Sequence, residues 1–402
     1  MPYTPFIKKE ALGWSVGNAC YRVRKPGVAL LFFFADRAGD LLFFLRKRRV
    51  PAASRSILVI QLDHIGDMIL CTPLIANIRR VFPDARLSLL IRECSDPIAR
   101  TIEGVDEVLH LHTPWLSREK NVGWTGVMKF CLRRFRKYDL SFEVHGEVRT
   151  IVVAWLLSRF RVGFGVRGGG FLLNCNVPWG RDYSKHIVEV QRQLLESVAA
   201  GAGLQVRPGL RIGAAVEEKA ASLLKASGLE KKGYIFIQMS AGETNREWPL
   251  HYWKNLIAAL LAKGFSIVCA DQDVSKKAAV SGGLDLGHRL HFFRVSLVEY
   301  TIFVKYARCV ISIDTFCNHL ASCFNTPALA LYSGVNFTAE WGPLSDEKIV
   351  LQNTACSLYP CALRRCPFDY PSPCMQALSV ESAIDSLTQL LGLLGRKESA
   401  GG

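Results

Sequence analysis

The run ILVIQLDHIGD, residues 57–67, passes from an almost wholly apolar, β-branched stretch into a turn carrying one glycine and two carboxylates. A short strand apolar at nearly every position is buried on both faces, which indicates a parallel sheet covered by helices. The turn leaving such a strand can cradle a phosphate or present a single carboxylate. It lacks the Gly-Lys-Ser/Thr ending of a nucleotide phosphate loop. It also lacks the second and third glycines of a dinucleotide fingerprint. Gly66 permits a positive φ or a close approach, and Asp67 then stands near the next helix start; the plain alternative is that Asp67 only caps the turn. Thr72-Pro73 predicts an N-cap followed by proline at the first position of a helix over LIANIRRVF.

Outward from this run the pattern repeats. RLSLLI (86–91), DEVLHL (106–111) and YDLSFEVHG (138–146) read as strands, and FRVGFGVRGGG (160–170) as a glycine-rich loop. A polar stretch near 204–216 reads as a linker. The alternation then restarts with YIFIQM (234–239), a helix opened by Pro249, and the strands FSIVCA (265–270), CVISI (309–313) and ALALYS (328–333). Two such series predict two doubly wound α/β domains. Ligands of such sheets bind beyond the carboxyl ends of the strands. That rule selects 63–67, 143–149, 240–246, Asp271 with Asp273, and Asp314-Thr315, and it places a ligand cleft between two facing domains. SVESAIDSLTQLLGLL (379–394) predicts a terminal amphipathic helix.

The chain of 402 residues carries a formal charge of +15, which suggests a polyanionic partner. More than half of that excess lies in residues 1–56, where eleven Lys and Arg face Glu10, Asp36 and Asp40. The same extension holds PGVALLFFFADRAGDLLFFLRKRR. Asp36, Arg37 and Asp40 interrupt it, so it falls short of the ~18 uninterrupted apolar residues of a spanning helix. Its apolar part also starts too far from Met1 for a cleavable signal. An in-plane interfacial helix fits better, with Arg46–Arg49 on anionic headgroups; the alternative is a helix packed on the protein's own core. A nucleic-acid partner is favoured by charge alone and by no motif. Thirteen cysteines, an odd number without a secretion signal, point to a reducing compartment.

In the second half, SAGETNREWP (240–249) sets small residues, Ser240 and Gly242 among them, ahead of Arg246 and a Trp-Pro helix start. Backbone N–H groups with a guanidinium make a pyrophosphate site; the alternative is a surface loop in which Arg246 pairs with Glu243 or Glu247. ISIDTFCNHLASC (311–323) puts Asp314 and Thr315 at a strand end, and Thr315 can cap a helix whose N-terminus faces an anion. His319 lies one turn in and by itself reads as a structural histidine. No His-Glu-x-x-His or carboxylate cluster points to a catalytic metal. CSLYPCALRRCPFDYPSPCM (356–375) spaces four cysteines C-x4-C-x4-C-x7-C; metal and disulfide both remain open on the pattern.

Taken in order, ILVIQLDHIGDMILCTPLIANIRRVFPDA, YDLSFEVHGEVRT, RVGF, FIQMSAGETNREWPLHYWKNL and VISIDTFCNHLASCFNTPALALYSG resemble glycosyltransferase family 9, the lipopolysaccharide heptosyltransferases. The cysteine loop followed by Met375 also looks like the tail of many members. The resemblance implies a GT-B fold, with an N-terminal acceptor domain over 56–210 and a C-terminal nucleotide-sugar domain over 211–355. The basic extension 1–55 precedes them, and the cysteine loop with the terminal helix, 356–402, follows. It implies inverting, metal-independent transfer of a heptose or related sugar from an ADP-sugar to a lipid A–Kdo or other core acceptor, at the cytoplasmic face of the inner membrane. Asp67 becomes the general base and Arg246, where many members have Lys, stabilises the departing diphosphate. Ser240, Gly242, Asp273, Asp314, Thr315 and His319 line the donor, and His64, Gly66 and Arg149 line the acceptor. Phe316 replaces the glycine of an Asp-Thr-Gly-x-x-His motif. The alternative from another class is a non-catalytic, membrane-associated scaffold that keeps the fold.

Overall fold

The computed structural model describes residues 7–10, 13–43, 54–115, 123–179, 183–199, 205–270, 273–282 and 288–400. Arg46–Arg49 and Asp271 lie outside them. The chain forms two compact units, Met1–Val206 and Arg207–Gly402.

The first unit opens with a small antiparallel sheet, β1 (Ile7–Glu10), β2 (Gly13–Val16) and β3 (Ala19–Tyr21), followed by the helix Pro26–Phe43. Its main sheet holds β4 (Ser56–Gln61), β5 (Arg86–Ile91), β6 (Glu107–His110), β7 (Tyr138–Glu143), β8 (Ser158–Gly163) and β9 (Cys175–Asn176). They lie in the order β6-β5-β4-β7-β8-β9, and every pair is parallel. The second unit repeats the plan. β10 (Tyr234–Gln238), β11 (Ser266–Cys269), β12 (Leu290–Phe292), β13 (Cys309–Ile313), β14 (Ala328–Tyr332) and β15 (Lys348–Gln352) form an all-parallel sheet in the order β12-β11-β10-β13-β14-β15. Both are the 3-2-1-4-5-6 order of a Rossmann-like domain, with a topological switch between the first and fourth strands. The continuous apolar runs are the central strands: β4, β10, β13 and β14 are buried almost throughout. This is the two-domain α/β architecture of GT-B enzymes.

Three local readings need correction. The helix after β4 starts at Ile65, not at Pro73, which lies inside it. Proline cannot donate to the carbonyl four residues back, here Ile69, and Thr72 Oγ1 donates to that carbonyl instead at 2.7 Å. Thr72 therefore repairs the helix rather than capping it, and Gly66 sits within the first helical turn with no positive φ. Ser158–Gly163 is a strand, so the glycine-rich loop is confined to 164–170. Its own side chains contribute β character before the glycines begin.

The extension packs on the first unit. Ala29, Val16 and Tyr21 form a small core with Phe32 and Phe33 around it. Asp36, one of the charges that interrupt the apolar run, is turned inward: it accepts from Tyr21 Oη and from the Gly169 N–H, both at 2.9 Å. Among the described residues no helix is long and apolar enough to cross a membrane. In the second unit the terminal helix Val380–Ala400 lays Val380, Ala383, Leu387 and Leu390 on the core beside Trp253, Leu256 and Leu260.

Candidate active site

In both units most of the polar groups singled out by sequence follow the strands that flank the reversal of sheet order; Asp273, after β11, does not. In the first unit, Asp63 and His64 lie in the turn after β4, and His64 is the N-cap of the helix Ile65–Val81 without a side-chain cap. Asp67 occupies the first turn of that helix, where the N-terminal dipole favours a carboxylate. Gln61 fixes the turn: its amide donates to the Asp67 carbonyl and its oxygen accepts from the Asp63 N–H, each at 3.1 Å.

The loop after β7 meets this turn across the switch. His145 Nε2 accepts from the Leu62 N–H at 2.7 Å, so the proton sits on Nδ1, which faces Asp63 Oδ2 at 3.3 Å. Burial would raise the Asp63 carboxyl, but the hydrogen bond from His145, together with His64 and Arg167, outweighs it and holds it far below the usual range. Glu143 closes the same loop, accepting from the His145 N–H, the Gly146 N–H and Thr150 Oγ1 at 3.0, 2.9 and 2.7 Å. Gly146 has φ +70°, and a Cβ there would lie 2.5 Å from Val166. Glycine is required at this turn. Arg149 follows on the helix Val148–Leu157, paired with Glu147 and set over the Trp115 ring at 5.6 Å.

Sequence reading left His145, Glu143 and Arg167 without roles. Their signal was position, the ends of β7 and β8. The electrostatic influence of Arg167 reaches Asp63, Glu143 and Asp67. Asp63 is thereby committed to a half-buried pair with His145, and Asp67 stands in the first turn of the helix.

In the second unit the loop after β10 carries a short 3-10 turn, Thr244–Arg246. Arg246 Nη1 reaches Asp314 Oδ2 at 3.3 Å, and the Glu243 carboxylate lies 3.9 Å from Nη2. Asp314 follows β13, so this ion pair spans the second switch point. Asp314 is buried, which raises its carboxyl, while Arg246 pulls the other way. Thr315 caps the helix Phe316–Cys323, its Oγ1 accepting from the Cys317 N–H at 3.4 Å, and His319 is buried within that helix. Phe316 packs against Tyr300 at 5.2 Å between ring centroids, and Tyr300 Oη donates to Gln238 at 2.7 Å. The aromatic that stands in for a glycine thus joins the wall formed by Tyr300.

Ser240 accepts a 2.8 Å hydrogen bond from the buried ammonium of Lys276, which also pairs with Glu247. Lys276 was not singled out in the sequence: the strand-end rule stopped at Asp273, and Lys276 lies in the helix that follows. Gly242 has open space where a Cβ would stand, so steric demand does not explain it. Asp273 caps the helix Val274–Ser281, accepting from the Ser275 N–H at 3.0 Å and the Ser275 hydroxyl at 2.5 Å.

The chain thus holds two Rossmann-like units, each with charged side chains at its switch point. The family model Glycosyltransferase family 9 (heptosyltransferase) matches residues 132–370, and the chain belongs to this family. It is 23% identical over 304 residues to lipopolysaccharide heptosyltransferase 3 of Escherichia coli, covering 71% of this chain and 85% of that protein. Its fold is similar to the glycosyl transferase family 9 structure from Veillonella parvula, with a TM-score of 0.70 at 17% identity, covering 86% and 99% of the two chains. It is also similar to the E. coli ADP-heptose LPS heptosyltransferase II, at 0.65 and 16%, covering 85% and 99%.

Proposed function

We propose that this glycosyltransferase moves a heptose from ADP-heptose, or a related sugar from its ADP derivative, to a lipopolysaccharide core acceptor with inversion at the anomeric carbon. The observation that carries the reading is the division of labour between the switch points: Asp67 on a helix start in one unit, Arg246 paired with buried Asp314 in the other. The Asp67 carboxylate takes the proton of the acceptor hydroxyl as its oxygen attacks the anomeric carbon. The bond from that carbon to the diphosphate breaks, and ADP leaves with the electron pair. Arg246 and the N-terminus of the helix capped by Thr315 balance the charge that develops on the diphosphate. Ser240, Lys276 and His319 shape the donor side. Asp273 and Gly242 belong to the same rim. His64, Gly66 and Arg149 border the acceptor side.

The test is transfer by the purified chain to a lipid A–Kdo acceptor, read by mass spectrometry with a panel of ADP-, UDP- and GDP-sugars. Addition of one heptose from the ADP donor is expected. A chain that is thermally stabilised by no nucleotide and transfers no sugar would instead match the scaffold reading.

The acceptor is a lipid, and we place the first unit on an anionic membrane at the cytoplasmic face. The outward side of the helix Pro26–Phe43 is apolar: Leu31, Phe34, Leu41 and Leu42 are 60–78% exposed on one face. The helix Trp124–Arg133 repeats the pattern with Trp124, Met128 and Leu132, continued by Phe135, and no carboxylate occurs between Gly123 and Tyr138 while five Lys and Arg do. Apolar stripes rimmed by cations suit the boundary of an anionic bilayer. Replacing Leu31, Phe34, Leu41 and Leu42 together with Ser should weaken flotation on vesicles containing an anionic lipid at least ~10-fold, given about 1.5–3 kcal/mol for each such side chain fully buried. Unchanged flotation would remove this helix from the membrane face.

A further inference from the structure

An ammonium is costly to bury unless its hydrogens find acceptors. Lys276 is only 9% exposed, on the helix Val274–Ser281 that follows β11. Its Nζ donates to Ser240 Oγ at 2.8 Å and to Glu247 Oε1. Ser240 opens the loop after β10, and Glu247 closes it directly behind Arg246. One buried cation, reaching across from the neighbouring strand β11, therefore ties the two ends of that loop together. The Asp273 cap, accepting from the Ser275 N–H, fixes the helical turn from which Lys276 springs.

The rest of the loop is held in series with this tie. Gln238, the last residue of β10, donates from Nε2 to the Ser240 carbonyl at 2.8 Å and accepts from Tyr300 Oη at 2.7 Å. Glu247 Oε2 accepts from Tyr370 Oη at 2.9 Å. Asn245 Nδ2 donates to the Leu363 carbonyl at 2.6 Å, and Ser372 Oγ donates to the Asn245 carbonyl at 3.1 Å. Leu363, Tyr370 and Ser372 come from the cysteine loop. Its four cysteines are free thiols, and among the described residues no three His, Cys, Asp or Glu side chains are placed to hold a metal. Arg246 thus stands between two residues, Asn245 and Glu247, that are both fixed from outside the loop.

Ser240 gains a direction from the same contact. A hydroxyl has one proton to give and two lone pairs to receive with. Here a lone pair takes the Lys276 hydrogen, and no described residue accepts the Ser240 proton. Accepting from a cation polarises the hydroxyl and strengthens the bond it donates.

We propose that Lys276 is a positioning residue for the donor's diphosphate. It holds Arg246 at the switch point by tying its loop, and it leaves the Ser240 hydroxyl to donate to a phosphate oxygen. Lys276 takes no part in bond making. The proposal rests on the donor role given to Arg246 above.

The test is calorimetric titration of the full chain with ADP and with AMP. Lys276→Met should bind ADP about 10-fold more weakly, the worth of one charge-assisted hydrogen bond, and should lose less affinity for AMP. Lys276→Met leaves Glu247 buried without its cation, so Lys276→Met/Glu247→Gln provides the folding control: glutamine keeps an oxygen for Tyr370 and strands no charge. This pair should melt near the wild type and keep the ADP defect. Ser240→Ala should show the same preference for losing ADP. Its effect should vanish when added to Lys276→Met, because the two act through one contact. Lys276→Arg should recover part of the affinity, which a role in folding alone does not predict once melting is matched. ADP affinity within a few-fold of wild type in the neutral pair, or equal losses for ADP and AMP, would overturn the role of Lys276. A wild-type chain that binds no ADP would instead overturn the donor reading itself.

Discussion

Asp67→Asn is expected to leave a folded chain that still binds ADP while its turnover falls by about 10²–10⁴-fold, the range a positioned general base supplies. Asparagine keeps the size of the side chain and its place in the first turn of the helix Ile65–Val81. What it loses is basicity, plus about 0.3–1 kcal/mol of favourable dipole interaction, too little to unfold a unit. The neighbouring carboxylate provides the contrast. Asp63 is tied to His145 across the switch point, so Asp63→Asn should lower the melting temperature more than Asp67→Asn does. Single-turnover transfer with melting curves for both variants decides the matter. Turnover of Asp67→Asn within a few-fold of wild type would take the base role away from this residue.

Arg246→Ala should be costly in two separable ways. Transfer should fall by about 10²–10³-fold if the guanidinium stabilises the leaving diphosphate. The protein should also lose stability, because Asp314 is buried and its facing cation would be gone; removing one partner of such a pair typically costs about 3–5 kcal/mol. Arg246→Ala/Asp314→Asn should recover much of the stability, since the asparagine carries no charge to strand, but none of the transfer. Arg246→Lys should keep most of the stability and part of the activity, since lysine retains the charge without the forked donor geometry. Recovery of transfer in the double variant would show that Arg246 matters only as a partner for Asp314.

Much of the fold was legible because the central strands announce themselves. Ile57–Ile60, Tyr234–Ile237 and Cys309–Ile313 are apolar at nearly every position, which only a sheet covered on both faces requires. Of the edges, β6 was legible as DEVLHL and the others were not. Leu290–Phe292 and Cys175–Asn176 are too short to carry a periodic signal, and the three-stranded sheet before Pro26 is built from strands of three or four residues. Pro73 misled for a physical reason: it looks like a helix start, and only the hydroxyl of Thr72 makes it tolerable in mid-helix.

The site divides in the same manner. Asp67, Arg246, Asp314 and Thr315 follow long apolar strands, so the rule that ligands gather at strand ends locates them. Lys276 and Arg167 act through space. Lys276 reaches Ser240 from a helix thirty-six positions later, and no local pattern records that meeting. The cysteine loop was visible as a spacing, but its hydrogen bonds to Asn245 and Glu247 belong to conformation, which a spacing does not encode.

The inward carboxylate of Asp36 has a bearing on how the chain can be cut. It grips the Gly169 N–H in the loop that also carries Arg167, whose charge is felt at Asp63 and Asp67. Gly39, one turn further along, sits where any side chain would collide with Phe171 of the same loop. The N-terminal segment is therefore an integral wall of the first unit and not a detachable leader. A shortened protein beginning at the first Rossmann strand would lose more than a tether: the loop that carries Arg167 would be left with a buried amide and an aromatic ring uncovered. Gene fusions and crystallisable fragments should begin before Ile7.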